Sequence, residues 1–292
     1  MKVSGATFVR NAVKFDYPVR ESISSILPLC DELVVNVGES EDETLDLIRS
    51  MADDRFRIIT NAWNEDLRTG GRILSEQTNL ALSECSGDWI FYVQADEVVH
   101  ERYLEGIRHR MDQYLGVKDV EGLLFGFKHF YGSHFLVKDE RGWYQREIRV
   151  IRNGVGIRSW KDAQGFRLNG HKLGVVPARA EIYHYGWARD PAIMLSKQKN
   201  LDRYWHDNAW IEARYRGGFS IEVKGVQPFT GSHPAVMTDR IRAAAWDRFK
   251  DPARLRLVRR PLRRRLFAFL DCIGEYKNYV LLDEGKLRGR KT

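Results

Sequence analysis

Apolar and polar positions alternate in blocks along the first hundred residues. Four short runs, VSGATFVR (3–10), ELVVNV (32–37), FRIIT (56–60) and DWIFYV (88–93), have the length and the β-branched or aromatic content of buried strands. The segments between them carry apolar residues at helical spacing: Ile23, Ile26 and Leu27 in Arg20–Leu29, Leu45, Ile48 and Met51 in Thr44–Met51, and a third run over Ile73–Glu84. Strands that alternate with helices predict parallel pairing through right-handed crossovers, hence an α/β, Rossmann-like doubly wound sheet. Such sheets bind ligands at the carboxyl ends of their strands, near a switch in strand order. Three polar segments fall at strand ends, Arg10–Asn11, Gly38–Glu43 and Gln94–Glu97, and they are expected to meet in one crevice.

The pattern loosens after about residue 120. LLFGF (123–127), Ile148–Arg152 and Ile182–Tyr185 read as strands, and helical spacing returns over Ala192–Arg214, over Val236–Phe249 and from near Pro261. A Gly-rich loop, Arg216–Pro234, lies between them, and its length suits a binding loop, with His233 as a contact to an acceptor. No Gly/Ser/Pro linker divides the chain. The expectation is a domain over 1–190 with a helical C-terminal region over 191–292 packed on it.

The chain has 292 residues, 43% of them hydrophobic and 30% charged, which excludes a disordered or disulfide-scaffold protein. Its net charge of +7 is local. Thirteen Lys and Arg face five Asp and Glu between Lys250 and Thr292, so the rest of the chain is close to neutral. A nucleic-acid groove across the molecule is therefore not expected. The run Arg254–Arg265 holds seven arginines and reads first as a solvated helix face, second as a peripheral contact with an anionic membrane surface. Cys30, Cys85 and Cys272 are too scattered for a framework or a zinc cluster. With no apolar leader and no spanning run, they point to a reducing, cytoplasmic setting, at most peripheral to the inner face of the membrane.

The strand ending GDWIFYVQADE delivers Asp96 and Glu97 to the crevice mouth. Hard oxygens there suit Mg²⁺ or Mn²⁺ bridging to substrate phosphates, although acids opening a helix are the ordinary alternative. Together with FVRN, VVNVGESEDET and GGRILSEQTNLAL, this motif makes the N-terminal half resemble a family 2 glycosyltransferase of the GT-A fold. The resemblance implies an inverting sugar transfer from a nucleotide-sugar donor to a hydroxyl acceptor, a glycan or lipid-linked glycan, with a divalent metal, Mn²⁺ or Mg²⁺. It implies that Asp96 ligates the metal and that His184, in EIYHYGWARDP, completes metal or diphosphate coordination; a buried core histidine is the plainer reading of that residue. Donor contacts are expected from Phe8 and Arg10, from Asn36 and Glu39, from Arg68, Gly71 and Arg72 around a helix N-terminus, and from Gln94 and Ala95. The chain departs from the family pattern at Gln94 and Asn36, where acids are usual.

An inverting transfer needs a base for the acceptor hydroxyl. Asp162, beside Trp160, is the first candidate and Glu147 the second; a surface salt bridge is the ordinary alternative for each. Trp143, Tyr144, Trp160, Trp187, Trp205 and Trp210 are candidates for an acceptor platform, or for packing. Three other readings compete, one of them a nucleic-acid-binding protein that uses the basic tail. A nucleotidyltransferase would need a Gly-rich phosphate loop with a Lys after the first strand, which VSGATFVRN lacks. A non-catalytic nucleotide- or sugar-binding relative is suggested by Gln94.

Overall fold

The computed structural model describes residues 1–64, 66–67, 69–138, 142–218, 225–251, 254 and 278–288. Strands β1 (Val3–Val9), β2 (Glu32–Gly38), β3 (Phe56–Asn61) and β4 (Trp89–Tyr92) pair in parallel in the order β3-β2-β1-β4. Helices α1 (Val19–Ile26), α2 (Thr44–Met51) and α3 (Arg72–Ser83) connect them. Strand order reverses between β1 and β4, and that reversal opens a crevice at their carboxyl ends.

Period-2 alternation divides the side chains between two cores. Leu33, Val35, Val37, Trp89 and Phe91 pack with Val19, Ile23 and Ile26 of α1. Val34, Ile90 and Tyr92 pack with Ala81 and Leu82 of α3 on the other face. Both faces are covered, as the near-continuous apolar strand sequences predict.

Beyond β4 the sheet is mixed rather than parallel throughout. The later elements are β5 (Glu97–Val99), α4 (Leu104–Tyr114), β6 (Gly122–Tyr131), β7 (Leu136–Lys138), β8 (Arg146–Arg152), β9 (Ile157–Trp160), β10 (Gly165–Leu168) and β11 (His171–Trp187). β8 lies antiparallel between β4 and β6, and β11 runs parallel to β6. The register of β11 shifts between Pro177 and Glu181, where Arg179 takes φ +57. This bulge-like irregularity lets one seventeen-residue strand serve β6 and also β5, which it meets antiparallel over Ile182–His184.

The C-terminal region comprises α5 (Pro191–Asp202), α6 (Asn208–Tyr215), β12 (Val226–Pro228), α7 (Thr238–Ala243), β13 (Tyr279–Leu281) and α8 (Glu284–Arg288). The single helix expected over Ala192–Arg214 is two helices, because the Asp207 carboxylate accepts the Trp210 N–H at 2.8 Å and restarts the chain as α6. The helix expected over Val236–Phe249 shrinks to α7 between two 3₁₀ turns. β13 pairs with β11, and the Tyr114 hydroxyl donates to Glu284 at 2.7 Å, tying this region to the α/β body. The helix expected near Pro261, Cys272, and the arginine run beyond Arg254 lie outside the described residues. No helix among the described residues is long and apolar enough to cross a membrane.

Candidate active site

A cavity of about 260 Å³ opens at the switch point. β1 ends into it with Phe8, Val9 and Arg10, and β4 runs on into Gln94, Ala95 and Asp96. The β9–β10 turn contributes Asp162, β11 contributes His184 and Trp187, and α5 closes the roof with Lys197 and Leu201. Asp190 caps α5 by accepting the Ala192 N–H at 2.8 Å, with Pro191 in the first turn, so the aspartate–proline pair fixes where the roof begins.

Asp96 is the electrostatic centre. Its Oδ2 lies 3.2 Å from Lys197 Nζ and 3.9 Å from Arg189 Nη2, and its Oδ1 lies 3.8 Å from His184 Nε2. Burial would raise this carboxyl, but the opposing charges, led by the Lys197 ammonium, hold it down at about 2. Burial pushes Lys197 down to about 7, with Arg189 adding to the shift and Asp96 opposing it. Burial also pushes His184 down to about 3, so its ring is neutral at physiological pH. Lys197 uses two of its three donors on Asp96 and on the Gly186 carbonyl at 2.8 Å, above the Tyr17 ring at 4.8 Å. Arg189 is 1% exposed, and its Nε and Nη2 have no hydrogen-bond partner.

Glu97 turns away from this site. Its two oxygens are held at 2.6 Å by Nε and Nη2 of Arg149, both side chains being fully buried. Glu97 therefore joins β5 to β8 and is not a second crevice acid.

Asp162 lies in the cavity between Lys161 and Ala163, which take φ +55 and +62. Burial raises its carboxyl above the ordinary range, against hydrogen bonds from the backbone N–H groups of Asp162 and Gln164. Gly71, at φ +66, backs this turn: a Cβ there would lie 2.8 Å from Asp162 Cβ and 2.6 Å from the Trp205 ring. Only glycine allows that approach with that backbone.

The other expected residues divide. Phe8, Arg10, Gln94, Ala95, Asp96, Asp162 and His184 share the cavity. Asn36 does not reach it. Its side chain faces α3, fully buried, donating to the Gln77 carbonyl at 2.8 Å and to Gln77 Oε1 at 3.0 Å and accepting from Asn61. Its amide is thereby consumed, so the expected base contact is absent. The Glu39 side chain is exposed, and only its carbonyl takes part, accepting Arg10 Nε at 2.9 Å. Arg72 is exposed on α3 and outside the cavity, and Arg68 lies outside the described residues, so the expected arginine cradle does not form among the described residues. Glu147 sits in β8 beside Asn278, 3% exposed and outside the cavity, and burial pushes its carboxyl up to about 8.

Trp143, Tyr144, Trp187 and Trp205 line the cavity; Trp160 and Trp210 are exposed elsewhere. His233 bonds the Tyr185 hydroxyl at 2.8 Å within an aromatic core and does not line the cavity. Sequence reasoning missed Lys197, Arg189, Trp63 and Tyr204. Trp63 packs on Gly38, lies 5.9 Å from both Phe8 and Tyr204, and has Arg10 5.5 Å above its ring. Lys197, Trp63 and Tyr204 sit on a helix or in loops with no motif, and Arg189 lies within EIYHYGWARDP, where the sequence singles out His184 and Trp187; the glycine ending β2 was the one available signal that a ring approaches.

The donor chemistry fits a divalent metal. Asp96 Oδ1 and the neutral His184 Nε2 offer one oxygen and one nitrogen in the same cavity. Among the described residues no group of three or more His, Cys, Asp or Glu side chains that could hold a metal occurs. The protein would thus supply two ligands and leave the remaining positions to substrate phosphates and water, as Mg²⁺ sites commonly do.

No curated protein matches the chain. Among solved structures, TarS 1–349 of S. aureus in complex with UDP is similar at 19% identity over 50% of this chain and 38% of that one, with a TM-score of 0.35. Glucosyl-3-phosphoglycerate synthase of Mycobacterium tuberculosis, in complex with Mn²⁺, UDP and phosphoglyceric acid, is similar at 23% identity over 44% of this chain and 43% of that one, with a TM-score of 0.30. This chain therefore spans less than half the length of each. The model of glycosyl transferase family 2 matches residues 18–166, which hold β2 to β4, Asp96 and Asp162. The chain belongs to glycosyl transferase family 2.

Proposed function

We propose that the protein moves a sugar from a nucleoside-diphosphate donor to a hydroxyl acceptor, with inversion at the anomeric carbon. The observation that carries this reading is the convergence of Asp96, His184, Lys197 and Asp162 on one cavity at the switch point. Breaking the anomeric C–O bond leaves negative charge on a diphosphate, and fixed cations lower the barrier by stabilising it. Lys197 supplies one such cation. Asp96 and His184 would hold Mn²⁺ or Mg²⁺, which when bound neutralises charge on the leaving diphosphate.

The base and ribose belong at the Phe8, Arg10, Trp63 and Tyr204 end, where rings replace the polar contact that Asn36 does not make. Gln94 and Ala95 border the diphosphate. Asp162, raised by burial, takes the acceptor proton, and a single displacement with one base inverts the configuration. Trp143 and Trp187 offer stacking surfaces for an acceptor sugar of a glycan or lipid-linked glycan. A reducing, cytoplasmic setting agrees with the unpaired Cys30 and Cys85. Gln94 in the cavity favours, as second reading, a nucleotide-binding relative without turnover.

Thermal stabilisation by UDP, GDP and CDP, with and without Mn²⁺, followed by product detection with the matching sugar nucleotides, tests this. The transferase reading expects stabilisation and turnover, both abolished in a folded Asp96→Ala. Stabilisation without product selects the binding relative. Stabilisation only by oligonucleotides discards both.

A further inference from the structure

We propose that His129 is a positioning residue: it fixes the tautomer of His184, so that His184 Nε2 presents a lone pair beside Asp96. The inference rests on reading Asp96 and His184 as a cation site. The β6–β11 register sets His129 opposite His184, with His129 1% exposed. Phe127 stacks on its ring at 5.6 Å, and Trp143 and Tyr144 pack edge-on at 4.9 and 4.7 Å, which fixes the ring plane, and the contacts of its two nitrogens select between the two flips in that plane.

His129 Nε2 lies 2.7 Å from the Tyr144 carbonyl oxygen. A carbonyl only accepts, so that nitrogen carries the hydrogen. In a neutral imidazole the other nitrogen, Nδ1, then keeps its lone pair. With His129 neutral, the 2.8 Å contact between its Nδ1 and His184 Nδ1 is a hydrogen bond donated by His184. The hydrogen-bond network thus assigns the proton of His184 to Nδ1 and leaves Nε2 bare, 3.8 Å from Asp96 Oδ1.

Asp96 is prepared in the same way, since Lys197 takes its Oδ2. One atom of each donor is held by a neighbouring side chain, and the two remaining atoms lie 3.8 Å apart. With the hydrogen on Nε2 instead, His184 would donate toward Asp96 and could not ligate a cation. Groups that bond the second nitrogen of a ligating histidine set its tautomer and basicity.

Two measurements test this. Nitrogen-15 NMR of the histidine rings in the wild-type chain, with His184 assigned by its loss in His184→Gln, is expected to show a protonated Nδ1 and a bare Nε2. A hydrogen on Nε2 overturns the proposal. Electron paramagnetic resonance titration with Mn²⁺ alone is expected to show binding weakened about 10–100-fold in His129→Leu. His129→Gln, whose side-chain carbonyl accepts the same N–H, should recover most of it. Equal affinity in the wild type and a folded His129→Leu overturns the role of His129 while leaving the cation site standing. A wild type that binds no Mn²⁺ overturns the cation site and the role of His129 together. If His129→Leu does not fold, the NMR tautomer and the glutamine variant still decide.

Discussion

Glu147 and Asp162 are both acids in buried surroundings, but only Asp162 reaches the cavity. Asp162→Asn is expected to lower kcat by about 10²–10⁴-fold, the range for losing a general base. Donor affinity should stay within about threefold, because a base acts in the chemical step. Steady-state kinetics beside equilibrium donor binding checks it, and equal losses in both would count against the role. Glu147 makes a different prediction. Burial raises its folded pKa to about 8 from 4.5, with Arg149 opposing. The protonated carboxyl suits the fold, so stability is full below about pH 4.5 and is lost as pH rises through about 8. Glu147→Gln should match the wild type in Tm near pH 4 and exceed it near pH 9, read by thermal melts across pH. At this scale the sequence was partly legible. Asp96, Asp162 and His184 stand out by motif and share the cavity. Asn36 stands in an equally suggestive place, but strand alternation turns its side chain toward Gln77 and Asn61. Which way a strand-end residue faces depends on register that one strand does not carry.

β1 to β4 and α1 to α3 were legible because each is apolar at a single period and bounded by polar turns. β11 was legible only over Ile182–Tyr185, because Gly174, Pro177 and Arg179 interrupt the alternation before it, although its seventeen residues hold β6, β5 and β13 together. α5 was legible as a helix by the spacing over Ala192–Arg214, but its role as the cavity roof was not. It brings Lys197, Gln198, Asn200 and Leu201 to the cavity from beyond the segment that matches the family. Asp190→Ala should therefore cost about 1 kcal/mol, the usual loss for an N-cap carboxylate. Since that loss loosens the start of the roof, donor KM should rise while Asp162-dependent chemistry persists. Denaturant titration and donor kinetics check the pair, and a destabilised variant with unchanged KM would separate α5 from donor binding.

Across the molecule, the cavity belongs neither to the first 190 residues nor to the helical region alone. Its lining runs from Phe8 to Trp205, with the switch point as floor and α5 as roof. The expectation of a helical region packed on an α/β body thus understates its contribution, since the cation nearest Asp96 comes from that region. A second cavity of about 440 Å³ is bordered by Asp16, His134 and Arg240. The most direct measurement is a crystal structure of the wild-type chain with whichever of UDP, GDP or CDP stabilises it, grown with Mn²⁺. The account predicts the diphosphate among Asp96, His184 and Lys197, with the base against Trp63 and Tyr204. A nucleotide seated in the second cavity, or one whose diphosphate touches none of those three side chains, would contradict it.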